Sequence, residues 1–242
     1  MGFQICFALG NIWRWNKSNN RNNLIKYAKK LNISGVELTF SSKLELFSFK
    51  LSKENKDWLK TLNYVSIHAP FSLISKSKNE KEIIKQLDLI EEIYNKINAK
   101  NVIIHPTELP PLKILNNYNF KYSTENMSKK KKVTITKMEE LLNEYPEMGL
   151  CLDVAHAYRW SKNETGELIK NFKGKITQIH FSGTYKGKDH LSLKSVTKNF
   201  INSIKPIKEL NVPIVIEEEI KIKSEKYLKE ELKYIKSIFK TL

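Results

Sequence analysis

Cys151-Leu152-Asp153-Val154-Ala155-His156, near the middle of the chain, decides how the rest is read. The apolar run Met148-Gly149-Leu150-Cys151-Leu152 leads straight into a carboxylate, and an imidazole follows three residues later. If residues 149–153 form a buried strand, Cys151 and Asp153 share one face, because side chains alternate along a strand. An ionised Asp at the end of such a strand is costly to bury without a positive partner. His156 falls just past the strand end, within reach of the same place. This is the pattern of a metal site at the carboxyl edge of a sheet, and an Asp that merely caps the following helix explains it about as well. The other strands decide between the two.

Working outward, strands are expected at Phe3–Leu9, Gly35–Leu38, Tyr64–His68, Asn101–His105, Phe120–Glu125, 149–153, Ile176–Phe181 and Val212–Glu217. Apolar residues at helical spacing predict helices over Asn22–Leu31, Leu51–Leu62, Glu80–Ala99, Val133–Tyr145, Glu164–Phe172, Ser195–Leu210 and Glu225–Phe239. Between Glu108 and Asn117 the pair Pro110-Pro111 leaves room only for a helix of a turn or two. Strand-then-helix thus repeats about eight times, the length and order of a single (β/α)8 barrel spanning 1–242, with a shortened crossover between strands four and five. An open doubly wound sheet is the rival architecture, but it carries a Gly-rich first turn, and none follows Leu9.

Composition narrows the setting. The 242 residues, 40% hydrophobic, suffice for one substantial core. No run approaches the ~20 apolar residues of a membrane span, and Met1-Gly2-Phe3-Gln4 lacks the basic start of a signal peptide. Cys6 and Cys151 both sit in apolar runs and form no disulfide framework. A soluble cytoplasmic chain is expected, with no obligate protein partner. The formal charge of +16 suits a polyanionic partner. Yet only Arg14, Arg21 and Arg159 are arginines, and the lysine-rich, Asn- and Ile-rich composition reads equally as a general compositional bias. Lys129–Lys132 reads as the solvated start of a helix.

In such barrels the carboxyl ends of the strands meet at one face and carry the chemistry. Those ends here are His68, His105, Glu125, Asp153 with His156, His180 and Glu217, and the loop after strand seven adds Asp189 and His190. All five histidines lie at or just beyond a strand end. Taken singly, each has an ordinary explanation: a hydrogen-bonded core histidine, a surface carboxylate, a helix cap, a solvated Glu217-Glu218-Glu219 edge. One metal site accounts for all of them together. Imidazole and carboxylate ligands suit zinc, manganese or iron, and the absence of paired cysteines argues against a structural zinc knot.

The residues Ser66-Ile67-His68-Ala69-Pro70-Phe71, Ile103-Ile104-His105-Pro106, Thr124-Glu125-Asn126, Cys151 to Ala157, Ile179-His180-Phe181-Ser182 and Ile214-Val215-Ile216-Glu217 resemble the xylose isomerase-like TIM barrel superfamily. Within it they look most like the endonuclease IV group (AP endonuclease family 2). The resemblance implies a zinc-dependent hydrolase of DNA repair that cleaves DNA at abasic sites, with two or three ions in the barrel mouth. Carried onto this chain, His68 and His105 would hold one ion and Glu125 would bridge to a second, completed by Asp153, His180 and Glu217. His156 and His190, with Asp189, would hold a third. Glu125, Glu217 and His180 would be the catalytic residues, and Phe71 and Lys188 would contact substrate, Phe71 as the aromatic that helps open the damaged duplex.

The chain departs from that group in four places. The loop Lys188-Asp189-His190 has its Asp directly before the His, where the group spaces them by one residue. The first strand runs into Gly10-Asn11-Ile12-Trp13, without the group's His-containing motif. Gly35-Val36-Glu37-Leu38 reads like the sugar isomerase and epimerase branches, and the Pro110-Pro111 crossover is trimmed. A metal-dependent sugar or sugar-phosphate isomerase or epimerase, using one ion on Glu125, Asp153, His180 and Glu217, is therefore the alternative reading. That chemistry has no evident need of His68, His105 and His190 as ligands. A non-catalytic barrel is disfavoured, because no strand-end ligand is apolar. Phe71 has a second explanation too, packing against Trp13 or Trp15.

Overall fold

Short strands carrying two different faces build the molecule. In β1 (Ile5–Ala8), β2 (Gly35–Thr39), β3 (Tyr64–His68) and β4 (Asn101–Ile104), Ile5, Phe7, Val36, Leu38, Val65, Ile67, Val102 and Ile104 all join the main hydrophobic core. Their alternate neighbours Cys6, Ala8 and Tyr64 join a separate small cluster with Val215. A period of two thus sends one set outward to the helices and the other into the barrel. The remaining barrel strands are β5 (Tyr122–Glu125), β6 (Gly149–Asp153), β7 (Ile176–Phe181) and β10 (Ile214–Ile216). The eight close in the order β1-β2-β3-β4-β5-β6-β7-β10, parallel throughout, with β10 returning to β1. The structure is a computed structural model and describes residues 4–12, 20–219 and 224–241. Trp13 and Trp15, the expected packing partners of Phe71, lie outside them.

The helices are α1 (Arg21–Ala28), α2 (Lys43–Ser48), α3 (Lys53–Lys60), α4 (Glu80–Ile97), α5 (Leu112–Leu115), α6 (Ile135–Glu144), α7 (Val154–Tyr158), α8 (Glu164–Phe172), α9 (Lys198–Ser203) and α10 (Glu225–Thr241). The longest amphipathic pattern gives α4. Asn79 caps its start by accepting from the Glu82 N–H, Asn98 ends it in the left-handed region at φ 54°, and Ile83, Leu87, Ile90, Ile93 and Ile97 turn inward. Each such side chain contributes about 1.5–3 kcal/mol on full burial. No helix among the described residues is long and apolar enough to cross a membrane.

The crossover from β4 to β5 is shortened as expected: Pro110-Pro111 leaves only the single turn of α5. Three expectations need correction. The helix expected over Ser195–Leu210 is α9 followed by a 3-10 stretch, Lys205–Glu209, because Pro206 cannot supply an interior helical N–H. Lys129–Lys131 is a 3-10 turn ended by Lys132 at φ 55°, and the helix begins only at Ile135, capped by Thr134. The loop after β7 contains an antiparallel hairpin, β8 (Gly183–Tyr185) with β9 (Lys188–Leu191), turning through Lys186 and Gly187, both at positive φ.

Candidate metal centre at the barrel mouth

The strand ends deliver their polar residues to one place. Thr39 pairs with His68 across β2–β3, and Asp153 with His180 across β6–β7. His68, His105 and Glu125 present ligand atoms that all lie within 4.8 Å of one another, and so do Glu125, Asp153, His180 and Glu217. Glu125 belongs to both groups. Its Oε2 faces His68 Nε2 at 3.8 Å and His105 Nε2 at 3.6 Å. Its Oε1 faces His156 Nδ1 at 3.2 Å and His180 Nδ1 at 3.5 Å. One carboxylate thus turns an oxygen to each side, buried at the centre of the mouth.

Hydrogen bonds behind these candidate ligands aim them. His68 Nδ1 lies 2.8 Å from the Ala69 carbonyl, which leaves Nε2 toward Glu125. His156 Nδ1 lies 3.1 Å from the Asn126 carbonyl. The Asn126 amide ties β5 to β6, accepting from the Asp153 N–H at 2.8 Å and donating to the Asp153 carbonyl at 2.9 Å. Asp153 does both things its sequence context allows. Its Oδ1 caps α7, accepting from the His156 N–H at 2.6 Å, while Oδ2 is buried without a hydrogen-bond partner. His180 Nδ1 is likewise buried without one, 3.4 Å from Glu217 Oε2. Two unpartnered polar atoms in one four-residue group are costly unless something fills the space between them. The donor set, imidazole nitrogen with carboxylate oxygen, suits a divalent ion such as zinc, manganese or iron.

The electrostatics are those of anions and imidazoles crowded out of water. Burial works against the Glu125 charge, but His180, His156 and His68 outweigh it and hold its carboxyl well below the usual range. Burial likewise opposes protonation of His156, yet Asp153, Glu125 and Asp189 lift its imidazole to about 10. His105 goes the other way, to about 3, under burial and the neighbouring histidines. Burial, with Glu125 and Glu217 close by, raises Asp153 to about 7 against the pull of His156.

The other expected residues lie around this centre. His156 and His190 stand close, ring centroids 6.5 Å apart, but outside both ligand groups. His190 sits at φ 57°, its Nδ1 3.1 Å from the Glu217 carbonyl. The hairpin register places Asp189 and His190 together opposite Thr184, a bulge that re-aims the strand. Asp189 also lies outside the two groups: its Oδ2 pairs with Arg159, the C-cap of α7, and its Oδ1 accepts from Thr184 at 2.9 Å. Lys188 is exposed on β9. Phe71, 44% exposed, stacks on His105 at 5.3 Å with planes 10° apart and meets His68 edge-on at 5.0 Å. Glu108 fastens its loop by accepting from the Ile74 and Ser75 N–H groups at 2.7 and 2.9 Å. A cavity of about 180 Å³ opens beside Phe71, lined by Asn11, Arg21, Thr39, His190 and Glu217 among others.

Sequence reasoning missed Glu37. It is fully buried on the inner face of β2, with Oε2 3.2 Å from His180 Nε2. The available signal was an acid between Val36 and Leu38 in a strand expected to be buried, the same oddity that drew attention to Asp153.

A family model for the xylose isomerase-like TIM barrel matches residues 25–238. Among solved structures, endonuclease IV from Thermus thermophilus superposes with a TM-score of 0.69 at 14% identity, over 99% of this chain and 100% of that one. A D-tagatose 3-epimerase-like protein superposes at 0.63 and 20% identity, over 97% and 98%. The 3-keto-D-glucoside 4-epimerase of E. coli does so at 0.69 and 12%, over 97% and 99%. At these identities the likeness is one of fold. Among curated proteins, none matches the chain.

Proposed function

The chain belongs to the xylose isomerase-like TIM barrel family, and from that premise we propose that it is a metal-dependent phosphodiesterase that cleaves DNA at abasic sites, as an endonuclease IV-like repair enzyme. The observation that carries this reading is the division of Glu125, with Oε2 turned to His68 and His105 and Oε1 turned to the His180 side. A carboxylate so placed is suited to bridge two ions. A site for a single ion has no use for the His68–His105 side.

Zinc or a similar ion bound there would supply Lewis acidity, polarising a phosphoryl oxygen and making water nucleophilic at neutral pH. The chain's own residues do the rest. His68, His105, Asp153, His180 and Glu217 would hold such ions around Glu125, and the charge so placed would offset the charge that develops on the attacking and leaving oxygens. Glu217 sits at the rim, facing both His180 and the cavity beside Phe71, which makes it the carboxylate nearest the reacting phosphate. Phe71 presents an apolar face at the same opening, suited to fill the gap left by a lost base. His156 and His190, close to each other above Glu125 and Glu217, suit a further ion; Asp189 would have to leave Arg159 to join them. Lys188 at the hairpin is placed to meet a phosphate backbone as a simple charge.

One observation favours a second reading. Glu125, Asp153, His180 and Glu217 form a complete four-ligand group by themselves, sufficient for one ion polarising the hydroxy-carbonyl of a sugar in an isomerase or epimerase. The test is nicking of a duplex carrying a single abasic site, at moderate salt, with and without chelator. Site-specific nicking that chelation abolishes supports the phosphodiesterase. Turnover of a ketose with no nicking supports the epimerase.

A further inference from the structure

Directly beneath His180 the barrel interior holds a carboxylate that belongs to neither ligand group. Glu37 Oε2 accepts from the Ser66 hydroxyl at 2.8 Å and from the Gln178 amide at 2.9 Å, and it lies 3.2 Å from His180 Nε2. Gln178 is itself oriented. The Tyr64 hydroxyl donates to its Oε1 at 2.8 Å, which turns its NH2 toward Glu37. The strands dictate this grouping. Glu37 pairs with Ser66 across β2–β3, Tyr64 and Ser66 alternate on the inner face of β3, and Gln178 and His180 do the same on β7. Four side chains from β3 and β7 thus converge on one oxygen of Glu37 or on the group that aims it.

We propose that Glu37 is the positioning residue of the metal centre: it holds the Nε2 proton of His180, so that Nδ1 presents its lone pair to the space between Glu125 and Glu217. The inference rests on the reading of these residues as metal ligands, which both enzymatic readings share. An imidazole binds a metal through a bare nitrogen, and the hydrogen bond at its other nitrogen decides which one is bare. His180 Nδ1 is the nitrogen with no hydrogen-bond partner, 3.5 Å from Glu125 and 3.4 Å from Glu217. His180 Nε2 points into the barrel, 3.2 Å from Glu37 Oε2 and 3.0 Å from the Gln178 amide nitrogen; of the two, only Glu37 can accept its proton, since an ionised carboxylate only accepts and an amide NH2 only donates. The Ser66 and Gln178 donors then leave the carboxylate one orientation.

Glu37→Gln tests this. The substitution keeps size and one acceptor but removes the charge. Zinc should be held about 10–100-fold more weakly in competition with a chelator, the loss typical of groups that orient a metal-bound histidine. In side-chain nitrogen NMR of the zinc-loaded wild type, His180 should carry its proton on Nε2, and that resonance should move in the variant. Ser66→Ala removes one donor to Glu37 without touching His180, and should give a smaller loss of affinity in the same direction. If Glu37→Gln does not fold, Ser66→Ala carries the test alone, and wild-type zinc affinity there overturns the proposal. So does Glu37→Gln with unchanged zinc affinity and unchanged His180 resonances, or a zinc-bound His180 that ligates through Nε2. If the wild type takes up no zinc, the metal reading falls. The metal-free spectra then decide Glu37: a His180 Nε2 proton that shifts in Glu37→Gln supports its role, and one that does not overturns it.

Discussion

His105 Nε2 stands 3.6 Å from Glu125 Oε2. The contact joins a residue just past β4 to one that ends β5, and it makes Glu125 the only side chain common to both ligand groups found among the described residues. Glu125→Gln keeps the shape and removes the charge. The buried histidines would then face a neutral amide, and both groups would lose their shared anion. The expected result is loss of most bound metal and a fall in turnover of more than about 100-fold, beyond the 10–100-fold typical of residues that only orient a ligand. Metal analysis of the purified variant, beside its cleavage rate, checks it. Full activity in Glu125→Gln would refute the bridging role.

Phe71 should separate substrate binding from metal binding. Its ring covers His105 but supplies no ligand atom, so Phe71→Ala should leave the metal content unchanged. Cleavage and binding of an abasic duplex should weaken by about 1–3 kcal/mol, the scale of one base–aromatic stacking contact. Binding to an undamaged duplex should change little. A drop in metal content would place Phe71 in support of His105 instead.

Metal uptake should release protons. Burial opposes a charge on His156, but its acidic neighbours raise it to about 10, and His68 is raised by Glu125 and Glu37 against the same penalty. In the metal-free protein His156 is protonated at neutral pH and His68 holds its proton more tightly than a free imidazole, and each must shed it to bind an ion. Zinc affinity should therefore fall as pH drops from about 8 to about 6. Calorimetry in buffers of different ionisation enthalpy should show net proton release at pH 7. Binding without proton release would contradict the assignment of charge.

Glu218, next in sequence to Glu217 but with its carboxylate on the Leu193 N–H, offers a stability test. Burial lifts its carboxyl to about 9, with Glu231 adding to the rise, while its Oε1 accepts from the Leu193 N–H at 2.9 Å. An acid whose folded value is raised binds more protons folded than unfolded, so its contribution to stability declines as pH climbs from the ordinary carboxyl range toward that value. Glu218→Gln keeps the Leu193 bond and carries no charge. It should raise the melting temperature at about pH 8 and change it little at about pH 5. The same increment at both pH values would show that the charge is not what costs stability.

The sequence revealed the barrel and the cluster of strand-end residues because each depended on local pattern. His68, Asp153 and His180 come at the ends of largely apolar runs and Glu125 at the end of the more polar Tyr122-Ser123-Thr124, and alternation puts them on the inner face of their strands. Glu37 was hidden because its partners are remote: Ser66 lies 29 residues away and Gln178 lies 141 away. Only barrel closure brings β7 within reach of β2. The Arg159–Asp189 pair was illegible for the same reason, spanning 30 residues and a hairpin. That hairpin did leave a local sign, Lys186-Gly187 between polar strands. The break of the Ser195–Leu210 helix was also written in the chain, at Pro206, and the apolar periodicity around it masked the signal.

The account turns on whether the His68–His105 side of Glu125 holds its own ion. The most direct measurement is the zinc content per chain of wild type and His105→Ala, purified alike and assayed together on a duplex with one abasic site. With two ligand groups in the mouth, the wild type should hold at least two ions. His105→Ala should lose about one equivalent and nearly all nicking, because multi-metal displacement needs each cation at the transition state. A wild type that holds a single ion, keeps it in His105→Ala and does not nick the abasic duplex would contradict the account and favour the mononuclear isomerase.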